Sequence, residues 1–120
     1  MQLELKLSDG QTAIIETEEW KEVVGFPLYD VSTLGRFRRR SNGLFITGTI
    51  ANNGYRHIGL MRDGRQITKL AHRLIAETFL EQPSPAHSDV NHQNKQRADN
   101  RVSNLEWMTR SQNSRHSKQK

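Results

Sequence analysis

Asn91 and His92 stand side by side, Asn104 follows twelve residues after His92, and Asn113 nine residues after that. Histidine exchanges a proton near neutral pH. Amide oxygens suit hard cations such as magnesium, which prefer oxygen ligands and keep several of their waters. If residues 88–92 are a strand, 93–100 a polar loop, 105–108 a returning strand and the segment after Thr109 a helix, these positions converge. A cation could then sit between an oxygen at residue 91 and the amide oxygen of Asn113, with His92 turned toward a phosphate beside it. Singly, each residue has a plainer reading as a bonded loop histidine, a cap or a surface amide. Their spacing is what raises them together.

The elements that would hold these positions are legible from pattern. Leu3, Leu5 and Leu7 alternate with polar residues, Ser8-Asp9-Gly10 reads as a turn, and Thr12–Ile15 can return, which predicts a hairpin within residues 1–17. Residues 18–70 read as a β-rich module. Tyr29–Ser32 and Arg36–Arg40 are predicted strands around the Leu34-Gly35 turn, and Tyr55–Leu60 and Ile67–Leu70 are strands joined by Asp63-Gly64. Ser41-Asn42-Gly43 and Asn52-Asn53-Gly54 read as turns, and Gly25 and Pro27 as breakers. In residues 71–120, Leu74, Ile75, Thr78 and Phe79 fall at helical spacing, Pro83 and Pro85 end that helix, and Thr109 can cap a last helix bearing Asn113 and His116. Trp20, Phe26, Tyr29, Phe37, Phe79 and Trp107 are predicted core, and His57 and His87 surface. The class is α+β: a β-rich N-terminal module, then a helix, then a strand–loop–strand–helix unit.

With 120 residues, 33% of them hydrophobic, there is room for one domain or two small lobes sharing a core. No apolar run approaches a membrane span, and no basic flank precedes an apolar stretch at the N-terminus, so a membrane partner and a secretory signal are not expected. There are no cysteines, which excludes disulfides and thiolate metal sites and suits the cytoplasm. The net charge of +5 hides an asymmetry, since residues 1–30 carry −5 and the rest +10. Across residues 33–75 the basic groups face only Asp63. A basic field attracts polyphosphate partners through counterion release. Arg36, Arg38, Arg40, Arg56, Arg62, Arg65, Lys69 and Arg73 are therefore candidate nucleic-acid contacts. Arg36, Arg38 and Arg40 would share one strand face. The plainer reading is a solvated basic face.

Val90-Asn91-His92, the stretch Asn100-Arg101-Val102-Ser103-Asn104-Leu105-Glu106-Trp107, and Thr109 with Asn113 resemble the HNH endonucleases of phages and mobile introns. His72-Arg73-Leu74-Ile75-Ala76-Glu77-Thr78-Phe79 is similar to the helix that precedes that motif. Glu19-Trp20-Lys21, Gly25-Phe26 and Tyr29 to Arg36 are similar to the small module found before it in homing endonucleases. The resemblance implies a ββα-metal motif, with His92 as general base, Asn104 as the central asparagine bracing the loop, and Asn91 and Asn113 as metal ligands. His72 and His116 are further positions near such a site. It also implies Mg2+ or Mn2+ as cofactor, double-stranded DNA as partner and hydrolysis to 5′-phosphate and 3′-hydroxyl ends. The setting would be that of a phage or mobile-element protein acting in a host cell. Two departures stand out: Asn91 replaces the aspartate of many relatives, and Gln93-Asn94-Lys95 replaces a common Ile-Asp-Gly. The first keeps open an alternative, a DNA- or RNA-binding module of HNH-like fold with weak or no cleavage. One motif per chain implies a monomer or weak dimer. With the motif helix last in the sequence, DNA reading is expected to fall to the β-rich region.

Overall fold

The structure, a computed structural model, describes residues 2–118, except for the side chains of residues 2, 3, 13–16 and 115–118. Leucine–polar alternation gives β1 (Gln2–Lys6), paired antiparallel with β2 (Thr12–Glu16) as a hairpin. Next, β3 (Trp20–Val23), β4 (Phe26–Ser32), β5 (Phe37–Arg39) and β6 (Phe45–Ile46) form an antiparallel sheet in chain order. Pro27, expected to break the chain, lies inside β4. It follows an irregular step in the β3–β4 ladder at Glu22/Val23, where a residue without an N–H is tolerated. A three-stranded sheet follows: β7 (Thr49–Ile50), β8 (Arg56–Arg62) and β9 (Arg65–Leu70). The two-residue strands β6 and β7 were not expected, because two residues carry no periodicity.

Helix α1 (Ala71–Phe79) leads directly out of β9. The last third is an antiparallel pair, β10 (Asp89–His92) and β11 (Leu105–Met108), with a 3-10 turn at Val102–Asn104 and helix α2 (Arg110–Lys118). Thr109 caps α2 as the sequence predicted. Its Oγ1 accepts from the Gln112 N–H at 3.1 Å, and Gln112 Oε1 accepts from the Thr109 N–H at 3.0 Å. This reciprocal pair satisfies two backbone donors at the helix start.

One core joins these parts. Val23, Phe26, Tyr29, Val31 and Phe37 of the first sheet, Ile58 and Leu60 of the second, Ala71, Leu74, Ile75 and Ala76 of α1, and Val90 and Leu105 of the last hairpin form a single buried cluster. Helix α1 packs on strands of both sheets and on β10 and β11. Burying Leu74 and Ile75 contributes about 1.5–3 kcal/mol each, which fixes α1 as the platform between the β-rich part and the last hairpin. Phe79 and Trp107 pack against this core partly buried, whereas Trp20 lies outside the buried cluster. Among the described residues no helix is long and apolar enough to cross a membrane.

Candidate active site

Alternation along β10 decides what each residue can reach. Successive side chains of a strand point to opposite faces, so Asn91 and His92, neighbours in sequence, serve two different clusters. Val90 and His92 pair across the hairpin with Trp107 and Leu105, while Asp89 and Asn91 pair with Met108 and Glu106.

On the first face His92 is 4% exposed. Its Nε2 lies 2.8 Å from Asn100 Oδ1. An amide oxygen only accepts, so this contact assigns the hydrogen to Nε2 and leaves the lone pair on Nδ1. Burial pushes the His92 pKa below the usual histidine value, against the Asn100 bond and Asp99, which favour the charged form. The ring sits 5.1 Å from that of His72 and 5.9 Å from that of Tyr55, and Tyr55 stacks on His72 at 5.0 Å. The Arg97 guanidinium lies 5.0 Å over Tyr55 and donates to the Asn53 carbonyl.

Among the described residues, three buried side-chain atoms have no hydrogen-bond partner: His72 Nδ1, His57 Nε2 and Asn100 Nδ2. Two of them flank His92, since Asn100 bonds it and His72 abuts it. Buried polar groups are normally satisfied, so a concentration of exceptions marks a site built for something other than stability. His57, expected at the surface, is corrected to a half-buried position. His87, also expected at the surface, is likewise half-buried and pairs with Ser84 Oγ at 2.8 Å.

Asn104 holds the loop between the strands. It is 6% exposed. Its Oδ1 accepts from the Asn94 N–H at 3.0 Å, and its Nδ2 donates to Asn94 Oδ1 and to the Asp99 carbonyl, both at 2.9 Å. The first module buttresses the same loop. Val102 N–H donates to the Thr33 carbonyl at 2.8 Å. Gly35 has φ +87°, and a Cβ there would stand 2.9 Å from the Asn100 carbonyl oxygen. Only glycine allows that approach, so the turn at residues 33–35 is pressed against the residue that orients His92.

On the second face, helix α2 brings Asn113 to β10, where its Nδ2 donates to Asp89 Oδ2 at 3.1 Å. Asn91, 7% exposed, donates from Nδ2 to Glu106 Oε1 at 3.0 Å. Among the described residues no three histidine, aspartate or glutamate side chains form a metal cluster. The donors present are two amides and two carboxylates, all oxygen, which fit a hard dication and not a soft one. The side chain of His116 lies outside the described residues.

The sequence proposed Asn91, His92, Asn104 and Asn113, with His72 as a further position near such a site; the structure brings Asn91 and Asn113 to one face of β10 and turns His92 to the other. The structure puts His72 in the core and in contact with His92 at once. Asn100, Asp89 and Glu106 were missed as partners. Asp89 shares a strand face with Asn91, which alternation could have shown. Glu106 needed the hairpin register. Tyr55, far away in sequence, carried no signal.

The arginines need a correction. Acids were expected to be too scarce to pair them, yet the acidic N-terminal segment folds alongside. Arg36 is forked onto Glu18, with Nε–Oε2 2.7 Å. Arg38 lies 3.6 Å from Asp30 and 3.8 Å over Trp20. Arg40 bridges Glu22 at 2.5 Å and Asp30 at 3.2 Å. Arg56, Arg62 and Arg73 donate to the carbonyls of Thr47, Gly25 and Ser88. Arg65 and Lys69 have no carboxylate partner among the described residues. Exposed ion pairs are worth about 0–1 kcal/mol, so the paired arginines can still exchange carboxylate for phosphate, but they start from a locally neutral surface.

Burial, with the charges of His92, Arg73 and His57 acting the same way, lowers the His72 pKa from 6.5 to about 4. Its proton binds to the unfolded chain below pH 6.5 and to the native chain only near pH 4. Its contribution is therefore full above pH 6.5 and is lost as pH falls toward 4, by about 3 kcal/mol in all. Urea unfolding of the wild type should weaken over that window by more than that of His72→Gln. Parallel profiles for the two proteins would refute it.

Three comparisons bear on this geometry. A family model described as HNH endonuclease matches residues 69–115, and one described as NUMOD4 motif matches residues 18–61. DNA endonuclease I-HmuI of Bacillus phage SP01 is 33% identical over 92 residues, 76% of this chain and 52% of its own length. H-N-H endonuclease F-TflII of Escherichia phage T5 is 24% identical over 97 residues, 80% of this chain and 50% of its own. An uncharacterized HNH endonuclease of Acanthamoeba polyphaga mimivirus is 30% identical over 99 residues, 82% of this chain and 25% of its own. The chain thus spans between a quarter and about half of the curated relatives it matches. The solved structure of I-HmuI, an HNH homing endonuclease that binds and cleaves DNA, superposes with a TM-score of 0.76 at 31% identity, over 83% of this chain and 57% of that one.

Proposed function

Since the chain carries an HNH endonuclease motif behind a NUMOD4 motif, in the manner of phage homing endonucleases, we propose that it is a divalent-metal-dependent endonuclease of double-stranded DNA. It hydrolyses phosphodiester bonds to 5′-phosphate and 3′-hydroxyl ends, with His92 as general base. The observation that carries this reading is the His92 imidazole, kept neutral by burial and tethered through Nε2 to Asn100. A neutral ring held at one nitrogen is directed at the other, and Nδ1 can take a proton from water as that water attacks phosphorus in line with the departing 3′ oxygen. Asn104 keeps the loop closed under this ring. Asn91 and Asn113 would hold the cation, for which Mg2+ is the natural choice and Mn2+ a substitute. When bound, it offsets charge on the phosphate and on the leaving oxygen.

Supercoiled plasmid tests the reading. With Mg2+, open circles are expected to accumulate before linear product, because one chain contains one hydrolytic centre and a monomer nicks first. With chelator, plasmid should stay supercoiled. Plasmid that is bound but never nicked in Mg2+ or Mn2+ would leave only a binding module. Linear product appearing at once, at a rate rising with the square of protein concentration, would mean a dimer cuts both strands.

A further inference from the structure

The two asparagines on the second face share an unusual arrangement. Each spends its amide nitrogen on a carboxylate: Asn91 on Glu106 at 3.0 Å, and Asn113 on Asp89 at 3.1 Å. Among the described residues no donor is bonded to the Oδ1 of either. A carboxylate that accepts from Nδ2 fixes which way the amide is turned and leaves Oδ1 free. It also places a full negative charge one hydrogen bond from the nitrogen of each amide. Asp89 and Asn91 share one face of β10, and Glu106 stands opposite Asn91 in the ladder, so both charges lie on the same side of the hairpin. Two amides alone offer a dication no net charge.

We propose that Asp89 and Glu106 belong to the cation site, each orienting one asparagine so that its oxygen faces the ion, and together supplying the charge that the asparagines lack. This rests on the nuclease reading, in which Asn91 and Asn113 are ligands, and extends it. It also limits what Asn91→Asp can gain. A new carboxylate there would meet Glu106 where a donated hydrogen bond now stands, so the gain from an extra charge is partly cancelled by repulsion.

The test measures Mn2+ binding to the DNA-free protein from the loss of the free-ion paramagnetic resonance signal. Asp89→Asn and Glu106→Gln keep shape and accepting oxygen but remove charge. Thermal midpoints check that each variant is folded. Each should weaken Mn2+ binding about tenfold, the lower end for residues that support a metal ligand, and the double variant should be weaker than either. Asn91→Asp should tighten binding more in the Glu106→Gln protein than in the wild type. Asn113→Ala is the control for the underlying reading. If it binds like the wild type, or the wild type takes up no Mn2+, the cation site itself fails and this inference with it. If Asn113→Ala loses Mn2+ while the double carboxylate variant keeps wild-type affinity, the nuclease reading stands and the carboxylates are props alone, which overturns the proposal.

Discussion

His92→Ala is expected to lower the cleavage rate by roughly two to four orders of magnitude, the usual worth of a positioned general base, with DNA affinity nearly unchanged. The base is needed where the water loses its proton and adds little to the bound ground state, so the loss should appear in turnover and not in binding. Two features of the site make the effect large. The ring is already neutral because it is buried, and its Nε2 is tied to Asn100 at 2.8 Å. The neighbouring imidazole is poorly suited to step in: His72 has its pKa near 4 and is stacked under Tyr55. Removing the ring also strands Asn100 Oδ1, a loss of about 1–3 kcal/mol, so the variant's fold must be checked by its thermal midpoint. Turnover within tenfold of wild type by folded His92→Ala protein would place the base elsewhere.

Asn104→Asp should damage the site more than its shape suggests. The substitution is isosteric, and one oxygen can still accept from the Asn94 N–H. The other now faces Asn94 Oδ1 and the Asp99 carbonyl, where Nδ2 donated two bonds at 2.9 Å. Donor–acceptor contacts become acceptor–acceptor contacts around a buried charge, at a cost of about 3–5 kcal/mol. The loop from residue 93 to residue 100 would then open, carrying Asn100 away from His92. A displacement of about 1 Å at a reacting group costs on the order of 100-fold in rate. Hydrogen exchange at the Asn94 amide should quicken in the same variant, because its acceptor is the Asn104 side chain. An unaltered Asn94 amide together with wild-type cleavage would remove Asn104 from the machinery.

The last third of the fold was open to pattern reading because its signals are local. The β10 strand, the polar loop, the β11 strand and the Thr109 cap each follow from a few adjacent residues, and so does α1 from the spacing of its apolar side chains. The 12- and 9-residue intervals among His92, Asn104 and Asn113 are a property of the chain itself, and the structure keeps all three in the strand–loop–strand–helix unit they implied. Elements too short to show a period, β6 and β7, were not legible, nor was a proline absorbed at an irregular step of a ladder.

Sequence alone thus determined the element types around the site, the spacing of its candidate residues and the chain's charge asymmetry, since these depend on composition and spacing within short windows. Tertiary structure decided who meets whom. Glu18, Glu22 and Asp30 answer Arg36, Arg38 and Arg40 because β4 lies between β3 and β5 in one sheet, so charge separated along the chain is paired in space. Asn91 and His92 face opposite ways because a strand alternates. The glycine turn of the first module bears on Asn100, and so on His92, because one core around α1 draws both halves together. Contacts of this kind are made between segments tens of residues apart, and only packing of the whole chain selects them.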